Sequence, residues 1–551
     1  MLLTVTNVKL PFDAPEADVL AEAGKRLARL GVRVSNDALF MTKRSIDARN
    51  RDAIVQVCSV GAIVDCSVEV LPANKLSALG ITVSRDPDEI GRCPFSEEDH
   101  GKDKLSAPPL VVGMGPAGLF CALTLAENGY NPILIDRGDC VERRVGAVNG
   151  FYKELVLDTE SNIQFGEGGA GTFSDGKLVT RINDPLCAYV LQRLYLAGAP
   201  REILVKAKPH VGTDLLRRVV EELSQSIRAL GGKTIYRCRL DSISESKDGT
   251  LIAKTSQGDI RCGAIVLATG HSARDTYLML RDSGYVLSPK PFSMGVRIEH
   301  LQDDIDHALF GKFAGHEALG KGEYNLSDTK KDRGVYTFCM CPGGEVVAAT
   351  SVQNAVVVNG MSNHARDGRN ANCAVCVSVN GNDVKAYMSA IGRYSDPVSA
   401  AIRFQQMTEE RAFEVGGMDY KAPIQLVGDF LGVSDLRYPK RIMPTYMGGN
   451  RATVAPLREV LPAFVADSIA YGLTSFDRKL RGFAAPDAVL TAVESRTTAP
   501  LRIERGDDLC AKGHDKVYPC GEGAGYAGGI TSAAVDGIRC AGAIIKRFCP
   551  I

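Results

Sequence analysis

Three glycines and one acid stand at a spacing that implies a specific chemistry. Gly113, Gly115 and Gly118 form G-x-G-x-x-G, and Asp136 follows at the end of the next apolar run. Gly113 permits a tight turn. Gly115 has no side chain to hold the backbone away from a pyrophosphate, and Gly118 lets a helix pack closely on a strand. Pro116 and Ala117 fall in the first helical turn, where the missing N–H of Pro116 costs little. Asp136 can accept from both hydroxyls of an adenosine ribose. A helix starting here offers free N–H groups and a partial positive charge to the diphosphate. The spacing predicts a dinucleotide site.

Three further stretches read as parts of the same site. Phe165–Leu178 interleaves glycines with Thr172, Ser174 and Asp175. Gly169, Gly171 and Gly176 there expose backbone N–H groups that can lie against a planar or phosphorylated ligand. Ala268-Thr269-Gly270 ends a buried strand with small residues that leave room for a ligand, and Leu240 closes a strand before it. Late in the chain, Gly521-Glu522 places a carboxylate just before Gly528-Gly529-Ile530, a second helix start. Arg137, Arg143 and Arg144 follow the second strand; Arg137 and Arg144 are the candidates for the diphosphate.

Other reactive side chains are scattered. Arg297 lies mid-strand in an apolar run, as a substrate anchor or as half of an internal ion pair. His364 and Arg366 sit in a polar loop, NGMSNHARDGRN, of catalytic or merely surface character. His300, Tyr446 and Arg496 complete the set of proton donors and anchors. Cys339 and Cys341 share one strand face, where core thiols are favoured over a redox pair. Cys373 and Cys376 form a C-x-x-C with no second pair, so no metal site is expected. No Ser-His-Asp set and no Walker loop appears.

These residues need elements to hold them. Leu110–Val112 reads as a buried strand, followed by a helix ending at Gly129 and a strand from Pro132 to Ile135. Asp214–Leu230 is an amphipathic helix. Lys233–Leu240, Ser242–Ser246 and Leu251–Thr255 read as a three-stranded meander before the strand Ala264–Gly270. From 291 to 481 the pattern changes to strands at Ser293–Glu299, Gly334–Cys341, Glu345–Thr350, Ala355–Val358 and Cys373–Val379. Gly343-Gly344 reads as a hairpin turn, and Ala400–Val415 as a helix. Residues 482–551 return with a strand at Lys516–Pro519 and a closing helix from Ile530. Ahead of all this, 1–105 reads β-α-β-β, a small ferredoxin-like α+β domain with strands at Val32–Arg44 and Ala53–Val70, and a polar linker over 85–108. Lys43, Arg44, Arg49 and Arg51 lie at its last turn, as a solvated hairpin or as a site for an anion, acidic partner or RNA.

The expected architecture is therefore α/β: a Rossmann-type domain with a meander (106–290 and 482–551), an inserted α+β domain of largely antiparallel sheet (291–481), and the N-terminal domain. The 551 residues suit about three domains. Lys+Arg and Asp+Glu are both 65, which argues against a dominant nucleic-acid or anionic-membrane surface. No apolar run approaches the ~20 residues that span a bilayer. The first residues carry no basic leader and no long apolar core, and the 16 Cys are scattered through apolar runs. The expectation is a cytoplasmic protein with reduced thiols.

The paired glycine motifs resemble the FAD-binding half of the flavoprotein group that includes p-hydroxybenzoate hydroxylase and geranylgeranyl reductase. The resemblance implies that Glu522 bonds the ribityl chain and that the amides around Gly529-Ile530 face the flavin pyrimidine. That group more often has Glu at the ribose position and Asp in the late motif; here they are Asp136 and Glu522. FGEGGAGTFSDGKL, ATGHSARDTY, YTFCMCPGGEVV, NGMSNHARDG and PCGEGAGYAGGITSAAVDGI look like a bacterial family usually called uncharacterised FAD-dependent dehydrogenases, over nearly the whole chain. The implied cofactor is FAD, because a plain NAD enzyme needs no second glycine-rich helix start. NAD(P)H, as a reductant, would dock without its own Rossmann domain, with His271 and Arg274 near its phosphates or capping a helix. Two functions follow: an FAD-dependent oxidoreductase of a small-molecule substrate, or a non-catalytic flavin module whose N-terminal domain engages protein or RNA.

Overall fold

Alternating apolar residues near the N-terminus build β1 (Leu2–Pro11), β2 (Leu39–Asp47), β3 (Val55–Ile63) and β4 (Ile81–Ser84) into one sheet, in the order β2-β3-β1-β4. The helix Glu16–Arg29 buries Val19, Ala23 and Leu27, spaced four apart on one face, against it. A helix at Ala73–Leu79 and the edge strand β4 extend the expected β-α-β-β. The computed structural model describes residues 1–64, 73–84, 92–329 and 333–551. The expected strand Ala53–Val70 ends as β3 at Ile63, and its remainder falls mostly outside the described residues. The strand read at Val32–Arg44 forms later, at Leu39–Asp47, after a short 3-10 turn.

The polar stretch 85–108 is not simply a tether. Within its described part, β5 (Asp103–Lys104) pairs in parallel with Phe548–Cys549 at the end of the chain. The N-terminal sheet is also held down. In β2, the Arg44 N–H donates to the Val205 carbonyl at 2.8 Å, and the Arg44 carbonyl accepts from the Ala207 N–H at 2.9 Å. Phe12 and Ile54 pack with Phe310 and Leu319 of the later sequence.

The dinucleotide-type sheet is β6 (Leu110–Val112), β7 (Ile133–Ile135), β8 (Lys233–Ile235), β12 (Ile265–Leu267) and β24 (Val517–Pro519), in the order β24-β12-β6-β7-β8 and all parallel. The central strands are short and wholly apolar because helices cover the sheet. The helix Pro116–Glu127 buries nearly every residue and lies against Ile530–Arg547. Gly537 makes that packing possible, since a Cβ there would stand 2.1 Å from the Ala117 carbonyl oxygen, and Gly118 seats the helix on the turn after β6, where a Cβ would stand 1.8 Å from the Gly113 carbonyl oxygen. The meander forms one strand later than the sequence pattern implies. It comprises β9 (Leu240–Glu245), β10 (Leu251–Thr255) and β11 (Gly258–Cys262). Lys233–Ile235 is captured instead by the free edge of β7, which extends the parallel sheet.

β13 (Leu287–Pro289) pairs with β23 (Leu501–Ile503) where the chain leaves and re-enters this unit. Between them, β14 (Phe292–Leu301), β15 (Ser327–Asp328), β16 (Val335–Cys341), β19 (Asn370–Val379), β20 (Ala422–Leu426), β21 (Ala452–Val454) and β22 (Val489–Glu494) form a seven-stranded sheet, antiparallel except at β20–β21. β22 belongs to that sheet, so the sheet reaches past residue 481, where the sequence pattern places the return. The helices Pro397–Gly416 and Ala463–Lys479 share its core. Gly343-Gly344 does not join paired strands. β16 pairs with β15 and β19, whereas β17 (Glu345–Ala348) pairs with β18 (Val358–Met361), which begins where the expected strand Ala355–Val358 ends. Gly343 has φ +50°, and a Cβ there would fall 1.9 Å from the Arg366 carbonyl oxygen. The turn therefore carries the chain across the 361–368 loop rather than back along β16. The last strand is β25 (Phe548–Cys549).

Candidate functional site

A cavity of about 320 Å3 opens beyond the C-terminal ends of β6, β12 and β24 and reaches the seven-stranded sheet. Strand ends of a parallel sheet are where ligands bind in such folds. The turn after β6 places Gly113 at φ +106°, against the Ala268 carbonyl at the end of β12. At Gly115 the backbone is open to the cavity: a Cβ would find no atom closer than Gly169 Cα, at 3.9 Å. A Cβ on Gly528 or Gly529 would meet nothing within 4 Å.

Asp136 lines the cavity, 7% exposed. Its two carboxylate oxygens each accept one backbone N–H, from Met114 and Gly138, both at 2.8 Å. Burial raises its pKa, against the pull of those two N–H groups. Arg137 stacks over Phe165 at 4.4 Å and pairs with Glu160 and Asp275. At the other motif, Glu522 lines the cavity, and its carboxylate has no hydrogen-bond partner among the described residues. Burial pushes its pKa up to about 7, with Lys290 alone opposing. Gly529 and Ile530 bring a helix of 18 residues to the cavity by its N-terminus.

Most of the residues expected at a cofactor lie on this wall: Gly113, Gly115, Pro116, Ala117, Asp136 and Arg137 from the first motif, and Leu240, Ala268, Thr269 and Gly270 from the strands. Gly169, Gly171, Asp175, Gly176, Glu522, Gly528, Gly529 and Ile530 join them. Four do not. Gly118 and Gly521 face protein. Thr172 is buried, its hydroxyl spent on the Glu167 carbonyl. Arg144 is fully buried and donates to the carbonyls of Asn162, Ile163 and Glu167 at 2.7 Å each. It braces the loop behind the cavity instead of reaching a diphosphate.

The far wall comes from the inserted sheet. β16 bulges between Phe338 and Cys341, and Cys339 adopts φ +48°. Bulges re-aim side chains, and Phe338 and Cys339 line the cavity. Arg297 lies behind them, fully buried. It donates to the Cys339 carbonyl at 2.7 Å, to Asn372 Oδ1 at 2.8 Å and to Glu494 at 3.2 Å. Of the expected anchors, Arg297 is thus one layer removed. His364 and Arg366 also miss the cavity. The His364 ring donates from Nδ1 to the Val211 carbonyl at 3.0 Å and stacks on His210 at 5.3 Å. Arg366 is half of a buried network with Asp175 (2.6 Å) and Glu323 (2.7 Å), joined by Lys177. The polar loop is a latch between the inserted sheet and the helix Thr213–Ala229. His300 and Tyr446 are spent on the carbonyls of Phe483 and Tyr420.

Arg274 is internal: with Arg496 it grips Glu409, which holds that carboxylate far below its usual range. His271, Lys177, Glu494 and Arg496 do line the cavity. Burial, then Arg496 and Arg274, push the His271 pKa down to about 4, so its imidazole is neutral at pH 7. Every described cysteine is a free thiol. Burial raises the thiols of Cys341 and Cys373 well above the ordinary value, as inert core groups. Cys520, Asp536 and Cys540 cluster with metal-ligand spacing, but Asp536 is already held by Arg505 and the Gly521 N–H. No helix among the described residues is long and apolar enough to cross a membrane.

Residues 291–497 match the family model "FAD-dependent protein, C-terminal domain-like". A Clostridium beijerinckii protein described as uncharacterized is 43% identical over 551 residues, covering 100% of this chain and 99% of its own. Solved structures with some likeness include CtdE in complex with FAD (9% identity, 80% of this chain and 83% of that chain, TM-score 0.31). The amino acid oxidase NikD is another (13%, 79% and 93%, TM-score 0.32). A likeness this low says nothing of this chain's chemistry.

Proposed function

The chain belongs to a family of FAD-dependent proteins, and we propose that it is an oxidoreductase acting on a small organic substrate in the cytoplasm. The observation that carries the reading is Glu522. A carboxylate desolvated enough to titrate near 7, with no donor among the described residues, is costly unless a ligand supplies hydroxyls. The ribityl chain of FAD has them, and the open glycines fit a ligand pressed against backbone. FAD, when bound, supplies two-electron redox chemistry. The residues that would hold it are Gly113 and Gly115 at the diphosphate, Asp136 at the ribose, Glu522 at the ribityl chain and the Gly529-Ile530 amides at the pyrimidine.

The chain's own part is to bind, orient and exclude water. Phe338 and Cys339 close the substrate side. His271 is neutral at pH 7, and its ring contacts Ser272 Oγ through Nδ1 at 3.1 Å. It is the group suited to hold or pass a proton at Nε2. NAD(P)H is the expected reductant, docking without a Rossmann domain of its own. The test is anaerobic mixing of the purified yellow protein with NADPH and NADH. Bleaching of the visible flavin band by either is expected. Gly115→Val should retain no flavin yet fold as the apo protein does, since the added atoms enter the cavity and not the core. A colourless wild-type protein that takes up no FAD sinks the reading.

A further inference from the structure

The charges around the inner end of the cavity do not balance. Arg297 is answered by Glu494. Lys177 and Arg366 are answered by Asp175 and Glu323. Lys290 donates to Thr498 Oγ1 at 3.0 Å and pulls the Glu522 pKa down through space. His271 is neutral. That leaves Arg274 and Arg496, two buried guanidiniums on one carboxylate, Glu409. Glu409 has no capacity left: it accepts from both arginines and from Ser495 Oγ. One positive charge remains uncompensated where solvent screening is weak.

Of the two arginines, Arg496 faces the cavity. Its Nε and Nη2 donate to Glu409 at 3.1 and 2.8 Å, and Nη1 donates to Ser351 Oγ at 2.6 Å. A guanidinium has five N–H groups. One on Nη1 and one on Nη2 therefore have no partner among the described residues. Two free donors on one planar guanidinium suit a carboxylate, and a single excess charge matches a monoanion better than a phosphate dianion.

We propose that the substrate of this site is an organic monocarboxylate, seated by its carboxylate on the free N–H groups of Arg496. The inference rests on the oxidoreductase reading for the word substrate, but the anion site stands on its own geometry.

The test uses the FAD-loaded protein, titrated by calorimetry with acetate, lactate and benzoate, each against its neutral amide, and with inorganic phosphate. The flavin spectrum is followed to place the binding in this cavity. At least one carboxylate should bind saturably and perturb the spectrum, with its amide and phosphate weaker by about tenfold or more. Arg496→Lys keeps the charge beside Glu409 but loses the fork. It should retain FAD and weaken the carboxylate by about tenfold. Should that variant not fold, the acid-against-amide comparison on wild type decides alone. Equal binding of acid and amide, tighter binding of phosphate, or no binding of any carboxylate overturns the proposal. Unchanged affinity in Arg496→Lys does the same. A yellow, reducible protein that ignores all three acids removes this inference and leaves the oxidoreductase standing.

Discussion

At the residue scale, the behaviour of Glu522 separates apo from holo protein. Its carboxyl is pushed up to about 7 by burial, above the value of an unfolded chain. A raised acid binds more protons folded than unfolded between those two values, so apo stability falls as pH rises from about 4.5 to 7. Glu522→Gln should flatten that slope in apo melts followed across this range. On the proposed reading the ribityl hydroxyls would offset that cost in the holo protein, so the same substitution should weaken FAD. A charge-assisted hydrogen bond of roughly 1.5–3 kcal/mol corresponds to about ten- to a hundredfold in affinity. Glu522→Ala should lose more than Glu522→Gln, because the amide oxygen still accepts. Fluorescence titration of apo protein reads both, and wild-type affinity in both variants would show that Glu522 does not face the ribityl chain.

Among elements, β16 decides the shape of the cavity's far wall. Its bulge turns Phe338 and Cys339 inward, and Arg297 on β14 holds the Cys339 carbonyl in place. Arg297 sits among Asn372, Glu494 and that carbonyl with no exposure. Arg297→Met leaves Glu494 buried without its cation, which should cost about 3–5 kcal/mol in urea unfolding. The double variant Arg297→Met, Glu494→Leu removes both charges and should recover most of that loss. A single variant as stable as wild type would mean that the ion pair contributes nothing and the bulge is held by the strand ladder.

For the whole molecule, the N-terminal domain packs on the rest of the chain away from the cavity. Among the described residues, none before Val112 lines the cavity. The domain nevertheless pairs backbone with 205–207 and covers Phe310 and Leu319. Removal of residues 1–84 keeps β5 on β25 and should leave FAD bound at full occupancy. Uncovering two large apolar side chains should lower stability by on the order of 3 kcal/mol and reduce solubility. A truncated protein that loses its flavin would place the domain in the cofactor site's support.

The glycine turn between β6 and the helix at Pro116 was legible because it is local. Glycine spacing, a flanking apolar strand and a following acid impose their geometry within some twenty-five residues, whatever surrounds them. The late helix start at Gly528-Gly529-Ile530 was legible for the same reason. The fate of each charge was not. Arg144 and Arg496 look alike in sequence, each an arginine near a glycine or strand end. Only packing spends Arg144 on loop carbonyls and leaves Arg496 with free N–H groups, through partners such as Ser351 that lie 145 residues away. His364 and Arg366 sit in a loop of catalytic composition, yet docking on Asp175 and the Val211 carbonyl makes them a latch. Arg274, Glu409 and Arg496 meet only when three distant segments close together, and the excess charge they leave exists in the folded chain alone.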